Sequence, residues 1–184
     1  SAEGEEGECD EREGESATEE GVKGHLPGPV DGGVDPRLSG SPLAGEPCLL
    51  PGGVGVVRVR IFSLALPGAL HLTLQRLAAL GMRSLVLDLR GCPGGELGAL
   101  VEVASDFLSP GLEIATLRDA EGDETPYLAR GGGSPSLPLF LAVDRATASA
   151  AELVAGALQA HGRAVVVGER TFGKAAAQAL TPGA

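Results

Sequence analysis

The chain has 184 residues, with 14 basic and 25 acidic side chains and a formal net charge of −11. That length allows one ordinary domain, or one domain with a tail. The acidity argues against nucleic acid or an anionic membrane as the main partner, because both are gripped by clustered basic charge.

The charge is unevenly placed. Residues 1–52 hold 13 of the acids and three bases, Arg12, Lys23 and Arg37, whereas residues 53–184 hold 12 acids and 11 bases. The excess belongs to the N-terminal stretch. Cys9, Cys48 and Cys92 are too few and too scattered for a disulfide framework or a zinc site. With no Trp and aromatics at 3%, the core must be aliphatic. Arg, Pro or Gly breaks the apolar runs before they reach transmembrane length. The acidic N-terminus has no signal-peptide pattern.

Residues 1–21 are nearly all Glu, Gly, Ser and Asp, too polar to offset chain entropy, and read as a disordered acidic tail. Residues 22–53 are rich in Gly and Pro and read as linker. From Val54 the pattern changes. Val57, Val59 and Ile61 alternate with Arg58 and Arg60, as in a strand with one wet face. Residues 69–80 place Leu70, Leu74 and Leu77 on one helical face, with Gly81 as the cap. Residues 84–89 form a short apolar run expected of a strand covered on both faces. Leu97, Leu100, Val101, Ala104, Phe107 and Leu108 share one helical face, ended by Ser109-Pro110-Gly111. A strand at 112–118 and a polar loop at 119–136 follow. Residues 137–143 read as a buried strand, 149–161 as a helix capped by Gly162, and 164–168 as a strand. The alternation predicts an α/β layered domain with a mainly parallel sheet.

In such sheets, sites form where strands end and helices begin. Three junctions stand out: Asp88 to Gly95, Asp144 to Glu152, and Gly168 to Lys174. Ser149 opens a helix among Ala148, Ala150 and Ala151, so its hydroxyl is unobstructed and lies near helix N-terminal amides. Ser149-x-x-Glu152 is equally a capping box, and a serine can serve both purposes. A nucleophilic serine needs a base. His25 lies in the linker and His71 within a helix. His161 is at the far end of the helix that Ser149 begins, roughly 18 Å away. The remaining solution is a lysine held neutral by desolvation. Lys174 is the only lysine after residue 53, the other ten bases being arginines, which stay protonated. Gly94-Gly95 lets bare amides approach a ligand. With the Ala150 amide, one of these could complete an oxyanion hole.

Together, DLRGCPGG (88–95), TASAAE (147–152) and GERTFGKAAAQ (168–178) resemble, in order, three motifs of the tail-specific, or C-terminal processing, protease family. The resemblance covers residues 54–184. It implies a ClpP/crotonase-like core and a serine endopeptidase that cleaves proteins near their C-termini through an acyl-enzyme. Carried over by position, it implies Ser149 as nucleophile and Lys174, 25 residues later, as general base. Gln178 would orient the lysine. The Ala150 amide, with Gly94 or Gly95, would hold the oxyanion. Asp88, Arg90 and Glu152 match family positions and read as architectural. Partners would be protein or peptide substrates, without metal, nucleotide or other cofactor, in a cell envelope, periplasm or plastid lumen.

The chain departs from the family pattern in places. Cys92 stands where the family usually has Asn, and Ala175 where it has Gly. Residues 22–53 are too short for a PDZ domain, and the family continues past the position of Ala184. These departures motivate a second expectation, a non-catalytic binding or scaffold relative that keeps the fold. A third is a crotonase-like acyl-CoA enzyme. The Thr-Phe-Gly-Lys segment speaks against it, and Glu96 is the only Glu near the Gly-Gly loop.

Overall fold

The computed structural model describes residues 41–132 and 136–174. The acidic tail, Ala175 and Gln178 lie outside the described residues. The chain runs β1 (Cys48–Leu50), β2 (Val54–Arg58), α1 (Leu66–Ala79), β3 (Ser84–Asp88), α2 (Leu97–Ser105), β4 (Glu113–Arg118), β5 (Glu124–Leu128), β6 (Leu139–Val143), α3 (Ala150–Ala160) and β7 (Val165–Gly168). Five strands form one sheet in the order β1-β2-β3-β6-β7. β1 is antiparallel to β2, and the other pairings are parallel. This is the mixed α/β architecture with mainly parallel strands that the alternation predicts.

Strand register explains the core. Val57, Leu87 and Leu141 are cross-strand neighbours, as are Leu85 and Leu139, and all are buried. They meet Leu66, Leu70 and Leu77 of α1, Leu100 and Val103 of α2, and Val154 and Leu158 of α3 in one cluster. The alternate set faces the other way. Val56 and Val86 are half-buried, and Phe140, Val165 and Val167 are exposed. Among the described residues β3 packs against the helices on one face, and on the other Val86 is half-buried while Asp88 and its neighbour Ala142 are buried.

The helices stop where the sequence says. After α1, the Gly81 amide donates to Ala78 O and the Met82 amide to Leu77 O, with Gly81 at φ 94°. After α3, the Gly162 amide donates to Gln159 O and that of Arg163 to Leu158 O. Both ends are Schellman motifs, which need a left-handed residue that glycine adopts without strain. α1 starts three residues earlier than its leucine periodicity shows, because Pro67 suits the first helical turn.

Two expectations differ from the structure. The stretch read as linker contributes β1, and Leu43 also bridges to Val59. Pro51-Gly52-Gly53 is a hairpin turn here, with both glycines at positive φ. The stretch read as a polar loop holds β5, which pairs antiparallel with β4. Its side chains are mostly exposed, so no hydrophobic alternation announces it. Among the described residues, no helix is long and apolar enough to cross a membrane.

Candidate active site

β3, β6 and β7 are parallel neighbours, so their C-terminal ends lie side by side. The three junctions singled out in the sequence follow those ends.

After β3, Asp88 is buried and takes both arms of Arg90, Nε at 2.9 Å and Nη2 at 2.8 Å, with Arg58 Nε 3.7 Å away. This pairing fixes the strand end and leaves Asp88 no room for chemistry. The chain then turns through Cys92 to Gly94 and Gly95. Cys92 is a free, fully buried thiol. Burial pushes its pKa up to about 11, with the Gly94 amide pulling the other way. It is thus an inert thiol that fills space where the loop folds under itself.

After β6, the turn to α3 is organised by Asp144 and Thr147. Asp144 Oδ1 accepts from the amides of Gly91, Ala146 and Thr147, each at 3.0 Å. The buried Thr147 hydroxyl accepts from the Asp144 amide and donates to Leu89 O, both at 2.9 Å. The Ala148 amide donates to Cys92 O at 2.9 Å. These contacts dock the Gly-Gly loop onto the serine turn. Burial by itself would raise the Asp144 pKa. The Gly91 and Ala146 amides, then the hydroxyl and amide of Thr147, outweigh it, so the net shift is downward.

Ser149 stands at φ 54° and ψ −122°, the only non-glycine at positive φ among the described residues. An ordinary N-cap uses extended backbone, so capping alone does not account for this conformation. Such strain is typical of functional turns held by their surroundings. Gly94 is part of what holds it. A Cβ at position 94 would sit 2.6 Å from Ala148 O, 2.7 Å from Ala150 N and 2.9 Å from Ser149 Cβ. The bare Gly94 backbone therefore lies directly against the Ser149–Ala150 peptide.

Gly95 forms an isolated parallel bridge with Phe62. Its bonds run from the Phe62 amide to Gly94 O at 2.8 Å and from the Glu96 amide to Phe62 O at 2.6 Å. In such a bridge the middle residue's own amide points away from its partner. The amides of Gly95 and Ala150 have no acceptor among the described residues.

After β7, the chain returns to the serine turn. The Phe172 amide donates to Thr147 O at 3.0 Å. Glu152, in the first turn of α3, then binds both segments. Its Oε2 accepts from the amides of Ser149 and Lys174, each at 2.9 Å, and its Oε1 from Gly173 at 2.7 Å. The Ser149 and Lys174 nitrogens are therefore no more than about 6 Å apart, each lying 2.9 Å from one oxygen. The Lys174 side chain is exposed and makes no hydrogen bond to Ser149. Burial would raise the Glu152 pKa. The Thr171 hydroxyl and the amides of Gly173, Ser149 and Lys174 bring it below the ordinary glutamate value.

The structure thus gathers Gly94, Gly95, Ser149, Ala150 and the Lys174 backbone at one end of the sheet, while Gln178 lies outside the described residues. His161 is held elsewhere, with Nε2 2.7 Å from Glu113 O. Among the described residues, no group of three or more His, Cys, Asp or Glu is placed to hold a metal ion. Asp144 and Thr147 were not singled out from sequence, although Asp-x-x-Thr between strand and helix is a side-chain-closed turn signal.

Comparison with known proteins bears on what this arrangement is. Residues 53–183 match peptidase family S41. The chain belongs to that family. A carboxyl-terminal-processing protease of Picosynechococcus is 41% identical over 127 residues, 69% of this chain and 30% of that protein. The chloroplastic carboxyl-terminal-processing peptidase 2 of Arabidopsis thaliana is 32% identical over 152 residues, 78% of this chain and 29% of that protein. The solved structure of a photosystem II D1 C-terminal processing protease superposes with a TM-score of 0.64 at 34% identity, covering 73% of this chain and 38% of the other. The chain spans about 30% of the length of the sequence relatives, so it corresponds to one part of an S41 peptidase.

Proposed function

We propose that this chain carries the catalytic centre of a serine endopeptidase that cleaves protein substrates near their C-termini, with Ser149 as nucleophile and Lys174 as general base. The observation that carries the reading is the strained Ser149 turn packed against Gly94. A helix cap needs neither the strain nor the contact, and a nucleophile presented beside bare amides needs both.

The Lys174 amine, once its side chain turns to the serine, takes the Ser149 proton as Oγ attacks the scissile carbonyl. The carbonyl π pair moves onto oxygen, which accepts hydrogen bonds from the amides of Ala150 and Gly95. Gly95 is preferred over Gly94 because its bridge to Phe62 turns its own amide outward. On collapse the C–N bond breaks, and the lysine ammonium returns its proton to the leaving amine. Water, deprotonated by the same amine, then attacks the acyl ester and regenerates Ser149. The side chain of Gln178 orients the lysine, a role that rests on the family resemblance alone. Relatives of both chloroplastic and bacterial origin support a plastid lumen or a periplasm.

The test compares hydrolysis of an unfolded protein such as casein by the wild type, Ser149→Ala and Lys174→Ala, with melting temperature as a folding control. Each substitution is expected to remove activity by on the order of 10³-fold or more without changing Tm. Equal turnover by all three proteins would overturn the reading.

A further inference from the structure

We infer that Glu152 is a positioning residue for the Ser–Lys pair, and that its carboxylate fastens the lysine-bearing segment to the serine turn. The inference rests on the proposed Ser149–Lys174 reading and adds to it a residue whose side chain first reads as part of a helix cap.

A cap requires only one of the bonds that Glu152 makes. Its bond to the Ser149 amide completes a capping box. The other donors come from residues 171–174, about twenty positions later in the chain: the Thr171 hydroxyl and the amides of Gly173 and Lys174. Gly173 sits at φ 90°. That turn aims two successive amides at one carboxylate, which is the geometry of an anion-binding nest. A side chain with both oxygens occupied by two separate segments is a bracket between them.

Among the described residues, little else holds the lysine segment. Phe172 is 69% exposed, and Gly173 and Lys174 are exposed too, so apolar packing contributes little. Apart from the bonds to Glu152, the described tie from residues 171–174 to the serine turn is the Phe172 amide to Thr147 O. Four donors also demand a charged acceptor. A glutamine offers one oxygen, and its amino group would face a backbone N–H. A glutamine with its oxygen in the Oε2 place keeps the Ser149 and Lys174 amides but turns its amino group onto the Gly173 N–H. In the other orientation it keeps Gly173 alone and confronts the other two amides. Either way the lysine segment loses a bond, gains a repulsion and loosens.

The test uses the intact chain as wild type and Glu152→Gln, with three readouts. These are backbone amide exchange by NMR, kcat and KM on an unfolded-protein substrate, and Tm. The bracket predicts exchange about 10-fold or more faster at Gly173 and Lys174, with the α3 interior amides of Val154 and Leu158 unchanged. It also predicts a kcat lower by on the order of 10²-fold with KM within about threefold, since substrate contacts are intact while the base is misplaced. Unchanged exchange at Gly173 and Lys174 overturns the inference. So does faster exchange throughout α3 with a lowered Tm, which would make Glu152 a helix cap only. So does selective loosening of 173–174 with kcat retained. An inactive wild type would instead sink the Ser–Lys reading, and exchange at the two amides would still decide whether the bracket exists.

Discussion

At Gly94 a hydrogen atom in place of a methyl lets the serine turn close against the loop. Its φ of 89° already disfavours any L side chain, and an added Cβ would fall 2.6–2.9 Å from Ala148 O, Ala150 N and Ser149 Cβ. None of those atoms belongs to a flexible chain end that can swing aside. Gly94→Ala must therefore displace the Ser149–Ala150 peptide, the part of the turn that carries both nucleophile and oxyanion donor. The expected result is near-complete loss of peptidase activity with a stability loss of about 1–3 kcal/mol. Activity and urea denaturation measured on one preparation separate the two effects. Retained activity would mean that the turn does not have to be held in its strained form. The strain on Ser149 was itself not legible in the sequence. The signal available was indirect: small residues on both sides of the serine, as a crowded turn requires.

At the scale of elements, two carboxylates tie three junctions together. Asp144 joins the serine turn to the Gly91 loop, and Glu152 joins it to the lysine segment. Both pKa values are lowered by the donors that surround them. A group whose folded pKa is depressed adds stability that is fully present above its unfolded pKa, near 4, and is lost as pH falls through the folded value. The stability curve of the wild type should thus drop in the acid range below about pH 4. Asp144→Asn cannot titrate there, so its curve should start lower at neutral pH and fall less steeply in acid. Denaturant titrations at a series of pH values measure this, and parallel curves for the two proteins would contradict it. The same scale shows what sequence carries well. α2, α3 and β6 have strong apolar periodicity because they bury a face, and they appear within a few residues of their expected bounds. β1 and β5 were missed because neither writes a buried stripe. β1 has three residues after a Pro-rich run, and β5 is mostly exposed. Which donors converge on Asp144 and Glu152 was equally hidden. Those donors are backbone amides, and backbone amides have no letter in the sequence.

Among the described residues the sheet is one-sided: a mainly parallel sheet usually has both faces covered, and here the three described helices join one core cluster. Position parity sets the consequence of a substitution. Leu141 and Phe140 are adjacent in β6, equally apolar and both in the middle of the sheet, but they point to opposite faces. Leu141 is fully buried against the helices, whereas Phe140 is 37% exposed. Leu141→Ala removes packed atoms from a closed core and should destabilise the chain by about 2–5 kcal/mol. Phe140→Ser removes the larger side chain, but from a surface that water partly reaches, and should cost about 1–2 kcal/mol. Residue size alone predicts the opposite order. Urea midpoints of the two variants decide between them, because a larger loss from Phe140→Ser would show that the second face is closed in solution and that the molecule is not one-sided.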